Sequence, residues 1–222
     1  MSQRSEDADG VPRFTIVSAV YQVAAYLDDF IASIEAQDFP LDRVEVIMVD
    51  DGSTDAGPQK LREWQRRRPE LVTVLTKANG GQASARNLGL EHARGEWVTL
   101  PDPDDTLGPD YFSSVDKFLT THPDVQMVAT NRILVMEATG KEAKHPLARY
   151  FALSDRMRNL DQHSKFFHGS APAAFFRTAV LAREQLRFDE RIRPNFEDGH
   201  FCSSYLLRVP SPIVAFMRSA KY

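Results

Sequence analysis

Short apolar runs and amphipathic segments alternate along the first 125 residues of the chain. Runs of β-branched and other apolar residues are typical of buried strands, and apolar residues three and four positions apart are typical of helices that pack on a core. The predicted strands are 14–19, 44–49, 71–75 and 97–100, with a fifth inside 125–135. The predicted helices are 23–37, a segment around Trp64 that Pro69 ends, 83–93 and 109–122. This order predicts an α/β fold with a mostly parallel central sheet flanked by helices.

The pattern becomes irregular after residue 137. Residues 140–145 are polar and turn-like, and 163–176 are aromatic without a regular period. Helices are predicted over 178–185 and 197–207, and a strand is predicted over 213–217. We expect this second half to form a layer on the sheet rather than a separate domain.

The two ends of the chain add two expectations. Residues 1–12 are polar and acidic, which predicts a disordered leader rather than a signal peptide or an anchor. At the other end, the chain stops shortly after the last predicted strand and has no polar tail. We therefore expect this sequence to be part of a longer protein.

Composition narrows the class of protein. The formal net charge of −4 argues against nucleic-acid binding. The single cysteine, Cys202, excludes a disulfide within the chain and fits a reducing compartment. No apolar run has the length of a membrane span. We expect a cytoplasmic protein and leave open both peripheral attachment to the inner face of the membrane and the oligomeric state.

Three carboxylates follow the fourth predicted strand. Asp102, Asp104 and Asp105 lie in a loop that Pro101 and Pro103 stiffen. Carboxylates this close repel one another unless a cation neutralises them, and Mg²⁺ or Mn²⁺ prefers such oxygen ligands. Because ligands of parallel sheets bind at the carboxyl ends of the strands, this loop is a candidate divalent-metal site that would also hold a diphosphate. An acidic surface turn is the alternative.

A second polar loop, Val49–Asp55, follows the second predicted strand. Asp50 and Asp51 can accept hydrogen bonds from the hydroxyl groups of a ribose or from a base. The alternative is a plain strand-to-helix turn in which Ser53 or Thr54 caps the helix.

A third segment, Asn79–Asn87, leads through a glycine pair into a helix that carries Arg86. A guanidinium at this point can support a diphosphate or the acidic loops by charge-assisted hydrogen bonds. Loop chemistry with a structural salt bridge is the alternative.

A fourth segment, Asn195–His200, begins a predicted helix with a carboxylate pair. The helix dipole keeps Glu197 and Asp198 ionised, and an ionised carboxylate that faces a substrate hydroxyl can serve as a general base. Helix capping is the alternative. His200 is either a further metal ligand or a solvated helix residue.

Together these segments resemble glycosyltransferase family 2, the inverting enzymes of GT-A fold. Phe14–Tyr21 is similar to the opening strand of the family, although Ala19 and Gln22 stand where the family usually has proline and asparagine. Val49–Asp55 matches the family motif without change. Three more segments are similar in the same order: Asn79–Asn87, Asp102–Asp105 at the D-x-D position, and Glu197–Asp198 at the E-D pair. The surroundings of that pair and residues 220–222 are similar to bacterial wall teichoic-acid and capsule glycosyltransferases.

The resemblance implies a division of roles within one catalytic domain over 13–222. The nucleotide-binding half would be 13–137 and the acceptor-side half 138–222. The implied donor-binding residues are Ala19, Tyr21, Asp50, Asp51, Asn79, Arg86, Asp102 and Asp104. Asp104 would hold a divalent metal (Mn²⁺ or Mg²⁺), with Asp102 and His200 as further candidate ligands. Asp198 would be the base, positioned with Glu197. The implied substrates are a nucleotide-sugar, UDP-linked by analogy, and a hydroxyl of a polysaccharide or polyol-phosphate acceptor.

Other classes of protein fit the sequence less well. A nucleotidyltransferase and a dinucleotide-binding oxidoreductase would each need a glycine-rich loop after the first strand, where 19–22 has no glycine. A non-catalytic domain that binds a nucleotide-sugar or scaffolds a larger polymerase stays open, because Ala19 and Gln22 depart from the family pattern.

Overall fold

The computed structural model describes residues 10–136, 138–193 and 196–222. Most of the predicted leader, residues 1–9, and Asn195 of the fourth segment lie outside the described residues. The strands are β1 Phe14–Val20, β2 Val44–Asp50, β3 Val72–Thr76, β4 Trp97–Thr99, β5 Met127–Asn131, β6 Ile133–Met136, β7 Lys141–Lys144, β8 Arg156–Asn159, β9 Ala174–Arg177 and β10 Ile213–Lys221. The α-helices are α1 Leu27–Glu35, α2 Gly57–Arg67, α3 Gln82–His92, α4 Tyr111–Thr121, α5 Thr178–Arg183 and α6 Glu197–Arg208. Short 3-10 helices cover Leu41–Arg43, Pro146–Phe151 and Ser164–Phe166.

One central sheet of eight strands has the order β3-β2-β1-β4-β9-β5-β10-β8. β1 pairs in parallel with β2 and β4, β2 with β3, and β5 with β10. β9 runs antiparallel between β4 and β5, and β8 runs antiparallel at the outer edge. The carboxyl ends of β1 to β5 and of β10 therefore share one edge of the sheet, which we call the carboxyl edge. The predicted α/β fold with a mostly parallel sheet is confirmed.

Alternation along the strands divides the apolar core between the two faces of the sheet. In β2, Val46 and Met48 belong to the cluster that packs under α1, α2 and α4, whereas Ile47 and Val49 belong to the cluster under α3, α5 and α6. Both faces are buried, which explains why the strands appear in the sequence as continuous apolar runs. Of the helices in the described part of the chain, none combines the length and apolar character that crossing a lipid bilayer requires.

The structure corrects several predictions of local structure. The first helix begins at Leu27 instead of 23, because residues 23–26 form a turn in which Asp55 accepts a hydrogen bond from the backbone of Ala24. Residues 141–144, predicted as a turn, form β7, which pairs with β6 in a separate hairpin. The second half of the chain is only partly a layer on the sheet: α5 and α6 pack on one face, but β8, β9 and β10 are strands within the sheet.

Candidate donor and metal site

The loops that follow β1 and β2 are tied together by Gln22. Its side-chain Oε1 accepts hydrogen bonds from the backbone N–H groups of Thr54 and Asp55, at 3.0 and 3.1 Å, and its Nε2 donates to Thr54 Oγ1. Gln22 adopts a left-handed conformation with φ of 56°. The amide of Gln22, which stands where the family usually has asparagine, thus holds this turn together. Neither Ser53 nor Thr54 caps α2, whose cap residue is Ala56 without a side-chain bond.

Asp51 organises the loop that leads into α3. Its Oδ1 accepts hydrogen bonds from Lys77 Nζ at 2.8 Å and from the N–H of Gly80 at 2.9 Å, and its Oδ2 accepts one from the N–H of Gly81 at 2.7 Å. Gly81 has φ of 88°, a conformation that side chains rarely adopt. Asp50 is also buried, and its Oδ1 accepts a hydrogen bond from the backbone of Ser53. Both carboxylates thus hold loop backbone, and their contact with a donor stays a prediction.

The acidic loop after β4 gathers three carboxylates in one place. Ligand oxygens of Asp102, Asp104 and Asp105 all lie within 4.8 Å of one another. Burial raises the pKa of Asp102 to about 6, helped by the neighbouring carboxylates and opposed by the Arg86 charge. Burial and the charge of Asp104 also raise the pKa of Asp105. A bound cation would relieve this repulsion, so the donor set fits a hard divalent metal.

His200, a further candidate metal ligand, lies apart from the three aspartates of the acidic loop. It is exposed on the first turn of α6, where its backbone N–H donates to Phe196 O. Among the residues that the structure describes, the cluster of candidate ligands contains the three aspartates and not His200.

Tyr222 supports the acidic loop from the end of β10. Its hydroxyl accepts a hydrogen bond of 2.9 Å from the backbone N–H of Asp102. Burial, together with the charges of Asp102 and Asp105, raises the pKa of Tyr222 well above its usual value. No pattern in the sequence indicates a role for Tyr222 at the site. A terminal tyrosine after an apolar strand gives no local signal of a contact with a loop 120 residues earlier.

Arg86 connects the acidic loop to the candidate base. The guanidinium is 1% exposed. Its Nη2 donates to Asp102 Oδ1 and its Nη1 to Asp198 Oδ1, both at 2.7 Å. The ring of Phe188 lies 5.3 Å from the guanidinium, and Gln82 Nε2 adds a hydrogen bond of 2.9 Å to Asp102 Oδ1. Two carboxylates that lie 96 positions apart in the sequence are thereby brought to one buried cation.

The first turn of α6 presents the E-D pair. Asp198 is held by Arg86, and Glu197 Oε2 is buried without a hydrogen-bond partner among the described residues. The residue before them, Phe196, adopts φ of 77° and is 83% exposed. An exposed aromatic residue in this conformation is energetically unfavourable, and such strain is often found at binding sites. The roles of Glu197 and Asp198 as catalytic residues stay predictions.

A cleft of about 440 Å³ opens at the carboxyl edge between these loops. Six of the predicted donor-binding residues line it: Ala19, Tyr21, Asp51, Asn79, Asp102 and Asp104. Tyr21 is half exposed, as a residue that stacks on a base would be. Asp50 and Arg86 do not line the cleft; Asp50 binds the backbone of Ser53, and Arg86 binds Asp102. The structure thus brings four of the predicted segments to one cleft.

Solved structures of known proteins share this fold. The chain resembles solved structures of S. aureus TarS 1–349, with a TM-score of 0.79 at 23% identity, over 95% of this chain and 59% of that one. It also resembles the mannosyltransferase PcManGT from Pyrobaculum calidifontis in complex with GDP-Man and Mn²⁺, with a TM-score of 0.67 at 24% identity, over 97% of this chain and 59% of that one. At this identity the likeness defines the fold, which is the GT-A fold of sugar-nucleotide transferases.

The family follows from the sequence match. The family described as "Glycosyl transferase family 2" matches residues 15–183, and the chain belongs to this family. It is 28% identical over 194 residues to the minor teichoic acid biosynthesis protein GgaB of Bacillus subtilis (strain 168), covering 87% of this chain and 20% of GgaB. It is 25% identical over 195 residues to the poly(ribitol-phosphate) beta-N-acetylglucosaminyltransferase TarS of Staphylococcus aureus (strain Mu50 / ATCC 700699), covering 87% of this chain and 32% of TarS. The chain thus spans a third or less of these relatives.

Proposed function

We propose that this chain is an inverting, metal-dependent glycosyltransferase domain that moves a sugar from a UDP-sugar to a hydroxyl of a polyol-phosphate or related cell-wall polymer. The observation that carries the proposal is the buried Arg86, whose two terminal nitrogens hold Asp102 of the acidic loop and Asp198 of α6. A guanidinium in this position sets the distance between the donor's leaving group and the acceptor's base. Such positioning is a main source of rate enhancement in enzymes.

The proposed reaction is a single displacement. The acceptor oxygen forms a bond to the anomeric carbon from the face opposite the nucleoside diphosphate, and the bond from that carbon to the diphosphate oxygen breaks. The Asp198 carboxylate accepts the proton of the acceptor hydroxyl as the new bond forms, an effect typically worth about 10²–10⁴-fold. One displacement inverts the anomeric configuration.

The three carboxylates of the acidic loop would hold the metal. Asp104 is exposed to the cleft and Asp105 is half-buried, while the half-buried Asp102 is oriented by Arg86, Gln82 and Tyr222. A bound divalent cation would stabilise the charge that develops on the leaving diphosphate. Asp102 would also face the ribose or the sugar, and Asp51 and Tyr21 would line the nucleoside part of the cleft.

The choice of substrates is supported by the relatives. TarS has been solved with UDP and with UDP-GlcNAc, and GgaB and TarS carry teichoic-acid and poly(ribitol-phosphate) names. We infer a uridine nucleotide and a polyol-phosphate acceptor for this chain. A cytoplasmic location, with peripheral contact to the inner face of the membrane, would give access to both a soluble nucleotide-sugar and a membrane-linked polymer.

A transfer assay tests the proposal. UDP-GlcNAc and related UDP-sugars would be incubated with a synthetic ribitol-phosphate oligomer and Mn²⁺, and the anomeric configuration of the product would be read by nuclear magnetic resonance. The expected result is transfer with inversion that stops on chelation of the metal. Metal-dependent binding of UDP without any transfer would favour the alternative, a non-catalytic domain that binds a nucleotide-sugar.

A further inference from the structure

A second pocket lies on the carboxyl edge, beside the acidic loop. It has a volume of about 680 Å³ and opens between the ends of β5 and β10, the strand β7 and the 3-10 helix Pro146–Phe151. Its charged lining residues are Arg132, Glu142, His145, Arg149, Arg218 and Lys221. None of these residues is in the donor cleft.

The lining is cationic although the whole chain has a net charge of −4. Four arginine and lysine side chains face a single carboxylate, Glu142. Arg218 and Lys221 are exposed and, within the described ranges, neither forms an ion pair. Burial and the nearby charge of Arg132 lower the pKa of His145, as expected where positive charge accumulates. A concave group of cations that outnumber their carboxylate partners attracts anions.

Backbone contacts connect this pocket to the acidic loop. Lys221 O accepts a hydrogen bond of 3.0 Å from the N–H of Gly108, three residues beyond the aspartate cluster. The next residue, Tyr222, binds the backbone of Asp102. The guanidinium of Arg132 lies 5.9 Å from the centre of the Tyr222 ring. Tyr222 therefore contacts both the acidic loop and Arg132, which lines the pocket.

A second line of contacts leads from the pocket to the candidate base. Arg132 Nη1 donates a hydrogen bond of 3.2 Å to Ser170 Oγ. The neighbouring Gly169 packs against α6 so closely that a Cβ added to it would lie 3.6 Å from Gly199 Cα. Gly199 directly follows Asp198. These contacts connect the pocket to the helix turn that carries Asp198, and the pocket shares no lining residue with the donor cleft.

We propose that this pocket is a phosphate subsite for the acceptor. It binds the phosphodiester that neighbours the hydroxyl to be glycosylated, through the guanidinium groups of Arg132 and Arg218 and the ammonium group of Lys221. Three cationic side chains suit a polymer that has a phosphate in every repeat, because each can form a charge-assisted hydrogen bond to a phosphate oxygen. An uncharged polysaccharide has no anionic group for them to bind. That the neighbouring hydroxyl is glycosylated rests on the proposed function. Binding of the phosphodiester does not, because it can be measured without sugar transfer.

The test is a calorimetric titration of a synthetic ribitol-phosphate oligomer, in the absence of donor. The wild type is compared with R218Q/K221Q, which removes two exposed charges from the pocket, and with R66Q/R67Q, which removes the same charge from the exposed end of α2. We expect the affinity to fall about 100-fold in R218Q/K221Q, because two charge-assisted hydrogen bonds of about tenfold each are lost, and to be kept in R66Q/R67Q. Free ribitol is the uncharged probe and should not bind measurably.

Several results of the titration would contradict the proposed phosphate subsite. These are equal affinities in R218Q/K221Q and in the wild type, the same loss in both charge variants, and absence of binding to the wild type. Binding in the expected pattern without sugar transfer would instead uphold the subsite and count against the proposed function. Thermal unfolding and UDP titration show whether the double variant is folded, and the single variant R218Q repeats the test with one exposed side chain changed.

Discussion

Arg86 Nη1 donates a 2.7 Å hydrogen bond to Asp198 Oδ1 and thereby joins α3 to the first turn of α6. The second terminal nitrogen of the same guanidinium binds Asp102, so one buried cation supports both the candidate base and the acidic loop. A planar fork with two donor nitrogens can satisfy two carboxylates in a set geometry, which a single ammonium group cannot do. The geometry of the proposed site thus depends on the arginine itself and not only on its charge.

The first prediction concerns this fork. Arg86→Lys keeps the charge but loses at least one of the two 2.7 Å bonds. We expect kcat/KM for sugar transfer to fall by about 10- to 100-fold, the size of one lost hydrogen bond between charged groups. Steady-state kinetics measure the effect. The control Arg94→Lys replaces an exposed arginine that pairs with Glu45 away from the cleft, and it should leave kcat/KM nearly unchanged.

The second prediction concerns the base. Asp198→Asn keeps the shape of the side chain but removes its ability to accept a proton. We expect kcat to fall by about 10²–10⁴-fold while the affinity for UDP stays nearly the same. The matched control, Asp42→Asn, changes an exposed aspartate at the start of β2, at the edge of the sheet opposite the cleft. A D198N enzyme with most of its activity would exclude Asp198 as the base.

The sequence predicts the parallel strands of the fold well and misses the antiparallel strands β7, β8 and β9. β9 is buried, but its four residues overlap an aromatic segment without a regular period. β1, β2 and β4 are buried on both faces, so they appear as apolar runs that no turn residue interrupts. β8 has the sequence Arg156–Asn159, is only half-buried, and is held by pairing with β10. β7 is exposed and is held by β6. Pairing with a distant strand leaves no periodic signal in a polar segment, which explains why β7 and β8 were not predicted.

In the candidate site too, residues that lie close together in sequence could be predicted, and contacts between distant segments could not. The acidic loop and the E-D pair could be found because several carboxylates stand close together in sequence. The contacts of Tyr222 and Gln22 could not, because each acts through backbone groups that lie far along the chain. The basic pocket gathers Arg132, Arg149 and Arg218 from three separate segments. Only the folded sheet brings such residues together.

The third prediction concerns Tyr222. Tyr222→Phe keeps the ring but removes the hydroxyl that accepts a hydrogen bond from the Asp102 N–H. Because such supporting bonds orient metal ligands, we expect the affinity for Mn²⁺ to fall by about 10-fold or more. The free energy of unfolding should fall by about 1 kcal/mol, since a buried N–H loses its partner. Calorimetry and urea unfolding measure the two effects. The control Tyr26→Phe changes an exposed tyrosine and should alter neither quantity.

The fourth prediction concerns pH and the buried His168. Burial lowers its pKa to about 4 in the folded protein, below the unfolded value of 6.5. Between pH 6.5 and 4 the unfolded chain binds a proton that the folded chain does not. The contribution of the neutral His168 to the free energy of unfolding is therefore present in full above pH 6.5 and decreases as the pH falls below that value. The expected loss between pH 7 and pH 5 is about 2 kcal/mol.

Urea unfolding at pH 7 and pH 5 tests this assignment with a matched pair of variants. In His168→Gln the amide can still donate to the carbonyl groups of Ser170 and Ala173 that the imidazole Nε2 contacts, but it does not titrate. Between pH 7 and pH 5, the decrease in the free energy of unfolding should be about 2 kcal/mol smaller in this variant than in the wild type. His92→Gln, at an exposed position, should behave like the wild type. Equal pH dependence in all three proteins would show that His168 is not the responsible group.

The most direct test of the donor and metal site is a calorimetric titration of UDP with and without Mn²⁺, in the wild type, in Asp104→Asn and in the control Asp42→Asn. Because the proposed site binds the diphosphate through the cation, Mn²⁺ should tighten UDP binding by about tenfold or more in the wild type and in D42N, which corresponds to about 1.4 kcal/mol. In D104N this gain should disappear. If folded wild-type protein binds UDP equally well with and without Mn²⁺, or does not bind it at all, the acidic loop is not the metal-dependent donor site.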